Sequence, residues 1–588
     1  MMNKIIYRSN NILYRQLSMI LLAAVIMVGL NQLSAQEKFM FSDFTGTLDS
    51  KQNSVVANLE AKSTTKRSRI VEVDVDIFNA REIKVNLFDD HTPMLQFQDI
   101  GRSGVTLRTW TGNFPEDLGS GSFVINGNRV SGHVVSIHGN FEIFPLGDEG
   151  VHVVVEHDEN AFRSCGTDAM RIPAAPKEKK EDKGNDNDMG LPDHNNSAQT
   201  RSVSGDECFI RVIVGYTSLA QTETSDDFGR TMIEHISLAI TESNQGYANS
   251  DVDMRMEMAY MYEVDDNETN NACNDVDDLQ DTNDGKWDDI HSVRNFYDGD
   301  MVCLITGGLY AANEDCNPNG GLCGIAFAFD YTDDTNMFQL SEYDCATGNF
   351  TFAHEFGHTQ GARHDNDNTG TPFSYARGYN QGTFRTIMAV CCSPTRVNYW
   401  SNPDIDFPGC SCAMGTSSRD NSRALDVGDF TVAHHRTTPG TYTTGVNLAS
   451  DEWLNMQAAT LLNSTNDASS GSLLQLKSFT KVILKPGFNA FTGSEGRFYI
   501  APTCAGTSYS LTESDQDIDA AERVPDADGY VPGEDGPSKR SQQTESKNTQ
   551  AADGGSMMTE DKPRKARAQA EQNADGSEER KPEKKKMD

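Results

Sequence analysis

A central α/β domain set between two β-rich units is the fold class this sequence predicts. Three observations carry it. Residues 207–440 alternate strand-like and helix-like segments. Residues 36–173 and 441–504 hold short runs of alternating polarity broken by turn residues. Ten of the twelve cysteines fall between Cys208 and Cys412, which marks the middle of the chain as a stapled domain. Five disulfides could form there, and spacing alone does not give their pairing.

The elements follow in order. Lys4, Arg8 and Arg15 precede the apolar run "LSMILLAAVIMVGL", Leu17 to Leu30, and small residues stand at Ser34 and Ala35. Basic, apolar, small is the layout of a signal peptide, here 1–35. The run is shorter than the roughly 20 residues a membrane span needs. The expectation is a secreted chain with no membrane span, in a compartment that permits disulfides. In 36–173, "RIVEVDVDIFNA" and "EIKVNLF" alternate, and the turns "NGN", "HGN" and "GDEG" separate further strands. Cys165 lies at the far end of this unit. Residues 174–206 have almost no large apolar residues and read as an exposed linker.

In 207–440, "CFIRVIVGYT", "DMRMEMAYMYEV" and "MVCLITGGLY" read as strands, and "GRTMIEHISLAITESNQGYANS" and "WDDIHSVRNF" as helices. "GLCGIAFAF" reads as an edge strand. Residues 441–504 return to short strands, and no long internal repeat is visible. Residues 505–588 hold few large apolar residues and are expected to be a disordered tail. The formal charge of -37 excludes a nucleic-acid binder, which needs basic clusters to release counterions.

The chemistry concentrates in "TFAHEFGHTQGARHD", Thr351 to Asp365. Residues four apart share a helix face, so His354 and His358 can bind one metal ion, with Glu355 beside them. Gly361 permits the chain to end the helix and turn, which brings back His364 as a third ligand. Three neutral imidazoles leave one position of a zinc ion open, as catalysis requires, and Glu355 could then act as general base. A structural zinc closed by a fourth ligand such as Cys391 is the alternative. "DTNDGKWDD" suggests a calcium loop but fails the EF-hand spacing, so Ca2+ has no support and a solvated acidic turn is preferred.

"HEFGHTQGARH" resembles the metzincin signature of zinc endopeptidases, and "RTIMAV" resembles their Met-turn, with Met388 at its centre. Asp365 after the third histidine is similar to the reprolysin or adamalysin group. The resemblance implies one catalytic Zn2+ and a mixed, mostly parallel sheet carrying the active-site helix. It implies that Met388 supports the ligand histidines and that Asp365 hydrogen-bonds under the site. It also implies that an extended substrate pairs with an edge strand, for which Gly324, Ile325 and Ala326 are the candidates beside the reading of an ordinary buried strand. Arg396, after the Met-turn, could favour acidic residues in the specificity pocket; an ion pair with Asp404 or Asp406 is the alternative.

"AFRSCGTDAM" resembles the cysteine switch of zymogen metzincins, in which Cys165 occupies the open zinc position. A Cys165–Cys504 disulfide fits the cysteine count equally well. The expected function is therefore a secreted zinc endopeptidase acting on proteins or peptides, with its own prodomain as inhibitor. The alternative is a non-enzymatic secreted binding or adhesion protein with a structural zinc.

Overall fold

The computed structural model describes residues 39–167 and 209–500, apart from brief intervals of which 311–320 is the longest. The expected signal peptide, linker and tail lie outside the described residues, as do Cys391 and Cys504. Among the described residues no helix is long and apolar enough to cross a membrane.

The N-terminal β unit is an antiparallel sheet with nine described strands, from Phe41–Asp43 at one edge to Glu82–Lys84 at the other. The "NGN", "HGN" and "GDEG" segments each join neighbouring antiparallel strands between Gly119 and His157. One helix was not expected, Ser50–Ala61. Its start is fixed by Asp49 and Gln52, each accepting from the other's backbone N–H at 2.8–2.9 Å. Alternation gives the sheet two faces. Phe123, Ile125, Phe141 and Ile143 pack with Phe78 and Trp110 in a core of this unit alone. Ser122, Val124 and Asn126 face the other way, toward the central domain.

The helix Met232–Asn249 receives that second face and is buried along nearly its whole length. Glu234 accepts from Arg129 and Asn126, Gln245 from Ser122, and Glu242 stands 3.0 Å from His133. These contacts recur at helical spacing, so one stripe of the helix is polar and meets the N-terminal unit.

Behind the helix lies the central sheet, ordered Leu322–Ala326, Phe338–Glu342, Met301–Thr306, Phe209–Tyr216, Arg255–Glu263. Neighbours are parallel except for the edge strand Leu322–Ala326, which is antiparallel. The middle strand Met301–Thr306 is buried at every position and apolar up to Thr306, because both faces of the sheet are covered. Cys323 is bonded to Cys345, but Cys303 is buried and unpaired, so ten central cysteines do not make five disulfides.

Residues 441–500 correct the expectation of no long repeat. Thr441–Thr444, Leu461–Ser464 and Lys481–Leu484 stack in parallel, Thr441 opposite Leu461 and Leu461 opposite Lys481. Trp453–Ala458, Leu473–Ser478 and Glu495–Ile500 stack the same way. The register advances by about 20 residues per strand, a coil whose rungs pair while their sequences diverge. The coil extends the central sheet, with Leu454 opposite Tyr260. Trp453 Nε1 donates to Met258 O at 3.2 Å, and Leu454, Met456, Leu474 and Leu476 share a core with Ile213, Val302 and Leu340. Buried Lys477 and Arg211 both reach Glu257, at 2.6 and 3.1 Å.

Candidate active site

The helix Thr351–Thr359 carries His354, Glu355 and His358, all buried. It ends at Gly361, whose φ is +96°. Gly361 N donates to His358 O at 3.0 Å and Ala362 N to Gly357 O at 2.8 Å, a pairing that a left-handed residue makes possible. The chain returns beneath the helix, and His364 Nε2 stands 3.0 Å from His354 Nε2 and 2.9 Å from His358 Nε2.

His354 Nδ1 donates to Ile387 O at 2.8 Å and His358 Nδ1 to Ala362 O at 3.2 Å. Those bonds leave both Nε2 atoms as lone pairs. Burial, and after it His364, hold both imidazoles well below their ordinary pKa, in the neutral form that binds metals. His364 has at most one proton to share between two acceptors. A cation at the centre satisfies all three nitrogens, and a tetrahedral zinc shell sets such nitrogens roughly 3.3 Å apart. The residues present therefore fit zinc.

Ile387 belongs to the turn Thr386–Ala389, closed by Ala389 N donating to Thr386 O at 3.0 Å. Met388 in this turn is buried, its Sδ 3.1 Å from where a Cβ on Gly357 would stand. Asp365 Oδ1 accepts from Val390 N at 3.1 Å, tying the His364 segment to the end of the turn.

The edge strand pairs inward, Ile325 with Leu340 and Ala326 with Gln339. Its outer side is taken by the N-terminal unit. Ser164–Cys165 runs parallel to it, Gly166 N donates to Gly324 O at 2.8 Å, and Ala326 N to Thr167 Oγ1 at 3.1 Å. Gly324 is where this strand passes the active-site helix. A Cβ there would stand 2.8 Å from Glu355 Cγ and 2.7 Å from Thr351 Cγ2. Glu355 Oε2 accepts from Thr167 Oγ1 at 3.1 Å.

Cys165 is free, which overturns the alternative of a disulfide to Cys504. Its Sγ is 3.6 Å from both His358 Nε2 and Glu355 Oε2. The ligand-type atoms of Cys165, His354, His358 and His364 all lie within 4.8 Å of one another. Arg163, two residues earlier, pairs with Glu342 and Asp344 of the central domain.

Arg396 is buried, and its donors go neither to Asp404 nor to Asp406. Nη1 donates to Asn349 O at 2.8 Å and Nη2 to Ala389 O at 3.2 Å, while Nε has no hydrogen-bond partner among the described residues. Burial, then neighbouring Arg385, lowers its pKa to about 9. Arg385 escaped the sequence reading although it opens the "RTIMAV" run, where a guanidinium among apolar residues was itself a signal. Its Nη2 meets Glu159 Oε2 of the N-terminal unit at 3.0 Å. Glu159 carried no signal in the sequence, because it is 226 residues away from Arg385. In the suspected calcium loop, Asp281–Asp289, Lys286 Nζ turns back to the preceding helix, 2.6 Å from Asp275 and 3.3 Å from Asp278.

Comparison with known proteins gives this geometry its family. Residues 210–401 match the Metallo-peptidase family M12. A peptidyl-Asp metalloendopeptidase of Xanthomonas campestris pv. campestris is 32% identical over 63% of this chain and 83% of its own length. Proteins of the same name from Stenotrophomonas maltophilia R551-3 and K279a are 30% and 31% identical, each over 60% of this chain and 86% of theirs. These relatives set aside the non-enzymatic alternative. A neutral three-histidine cluster suited to zinc, inside the matched segment, makes this chain a member of the M12 metallopeptidase family and a zinc-dependent metalloendopeptidase of the reprolysin-like kind.

Proposed function

We propose that this is a secreted endopeptidase made latent, in which residues 36–173 are a prodomain and Cys165 is the inhibitory zinc ligand. One observation carries the reading: four ligand-type atoms, three from the M12 segment and one from the N-terminal unit, gather within 4.8 Å. The N-terminal sheet has its own core and meets the central domain partly through polar pairs, which supports a detachable unit. The coil of residues 441–500 shares its core with the central sheet and stays.

His354, His358 and His364 would hold zinc. When bound, zinc supplies a Lewis acid that polarises the scissile carbonyl and acidifies water. Glu355 takes the proton of the attacking water and delivers it to the leaving amine. Ile387 O and Ala362 O keep the histidines in the metal-binding tautomer, and Met388 and Asp365 brace the turn that carries Ile387. Gly324, Ile325 and Ala326 offer main-chain pairing to an extended peptide once Ser164–Cys165 departs. Arg396 places positive charge beside this site and favours an acidic residue after the cut, which agrees with the peptidyl-Asp name of the relatives.

The test compares the full chain with its Cys165→Ala variant. Zinc absorption spectroscopy should show one sulfur in the wild-type shell and none in the variant. The unprocessed variant should cleave peptide while the wild type stays silent. A sulfur-free wild-type shell together with a silent variant defeats the switch.

A further inference from the structure

The two arginines behind the zinc ligands share a single carbonyl. Ala389 O accepts from Arg385 Nη1 at 2.9 Å and from Arg396 Nη2 at 3.2 Å. Arg385 Nε donates to Pro394 O at 3.0 Å, so its position is fixed from two sides. Two guanidinium groups held this way and buried repel each other and call for an anion. Within the central domain their other partners are neutral carbonyl oxygens and the Asn349 amide.

The carboxylate that meets Arg385 comes from outside that domain. Glu159 Oε2 accepts from Arg385 Nη2 at 3.0 Å, and Glu159 Oε1 accepts from Asn140 Nδ2 at 2.7 Å. Glu159, Arg385 and Arg396 line one cavity of about 190 Å³, together with Cys165, His354 and Glu355. An ion pair that served only to join the two units would need neither the second arginine nor an opening onto Glu355. Guanidinium forks match carboxylates, and an acidic side chain of a bound peptide is the carboxylate that reaches this cavity once the N-terminal unit has left.

We propose that Arg385 and Arg396 together form the subsite that reads an acidic substrate side chain, and that Glu159 occupies it in the latent chain as a stand-in for that side chain. This rests on the proposed acidic specificity and extends it to a second arginine and to a second point of inhibition. The prodomain then holds the site by two side chains, the Cys165 sulfur among the histidines and the Glu159 carboxylate on Arg385. Arg163 with Glu342 and Asp344 pins the segment between them.

The experiment uses the full, zinc-loaded chain, with melting and zinc content measured for each variant. In the intact chain the rate of Cys165 alkylation by a maleimide reports how tightly the segment is seated. Glu159→Gln and Arg385→Gln should each raise it about tenfold or more, and the double variant should add little beyond either single one, since both remove the same contact. The chain is then nicked between residues 174 and 206, and kcat/KM is measured on two peptides that differ only in Asp or Asn after the cut. Arg385→Gln and Arg396→Gln should each lower the Asp-to-Asn ratio about tenfold or more, and Arg385→Lys should retain part of it. A wild-type preference for Asp that survives Arg385→Gln overturns this inference and leaves the acidic specificity standing. No preference in the wild type overturns both. Unchanged alkylation in Glu159→Gln overturns the role of Glu159. If Arg385→Gln does not fold, Arg385→Lys decides, because a purely structural arginine would leave the ratio at the wild-type value.

Discussion

Glu355 is the side chain on which chemistry and inhibition meet. It lies next to His354 on the helix, and its Oε2 accepts from Thr167 of the N-terminal unit. Changing it to Ala leaves the three imidazoles in place and removes the base. Glu355→Ala should keep zinc at wild-type stoichiometry while kcat falls about 10²–10⁴-fold. Metal analysis alongside turnover checks this, and a variant that lost its zinc would assign Glu355 a different role. Gly324 makes a second test at this scale. A methyl there would fall 2.8 Å from Glu355 Cγ and from Leu340 O, closer than real contacts allow. Gly324→Ala should lower kcat with zinc retained, because the base must move while the ligands need not.

At the scale of elements, the active-site helix depends on how it stops. Gly361 at φ +96° lets two backbone bonds close the last turn before the chain doubles back to His364. A side chain disfavours that backbone by about 1–2 kcal/mol. Gly361→Ala should cost stability of that order and weaken zinc retention against a chelator, measured by melting and by competition. The N-terminal sheet carries a pH dependence. His152 is fully buried, with Nε2 accepting from Val130 N at 2.9 Å, and burial lowers its pKa to about 4. Its folded value lies below the unfolded value of about 6.5, so the unfolded chain binds more protons between the two. That contribution is complete above about pH 6.5 and is lost as pH falls toward 4. For His133 burial opposes protonation, but Glu242 beside it gives a net raised pKa and the opposite slope. Replacing His152 with Gln should therefore flatten the acid side of the melting profile, and a profile identical to wild type would remove His152 from the account.

Across the whole molecule, the units on either side of the central domain are held in different ways. The N-terminal sheet keeps a core of its own. The coil of residues 441–500 buries Trp453, Leu454 and Leu474 against the central sheet, and Lys477 helps satisfy buried Glu257. A chain ending at residue 440 should melt about 10 °C or more below the full chain, because it exposes that core and strips a partner from a buried carboxylate. Equal melting points would make the coil an independent appendage. This placement supports a stabilising extension of the central sheet.

Local rules were enough for the metal site and for most of the strands. Helix spacing brought His354, Glu355 and His358 together, a glycine turned the chain, and alternation between turns marked the sheet of residues 36–173. Those features depend on neighbours within about a dozen residues, so they can be read along the chain. The coil repeat was missed because parallel rungs are joined by backbone pairing and not by like residues, as Thr441, Leu461 and Lys481 illustrate. The free state of Cys303 and the bond between Cys323 and Cys345 follow from which sulfurs the sheet brings close. The arginine pair and its partner Glu159 belong to segments more than two hundred residues apart, and charge complementarity at that separation leaves no periodic trace in a sequence. Only folding sets Glu159 against Arg385, because burial there leaves each charge little but the partner that the packing supplies.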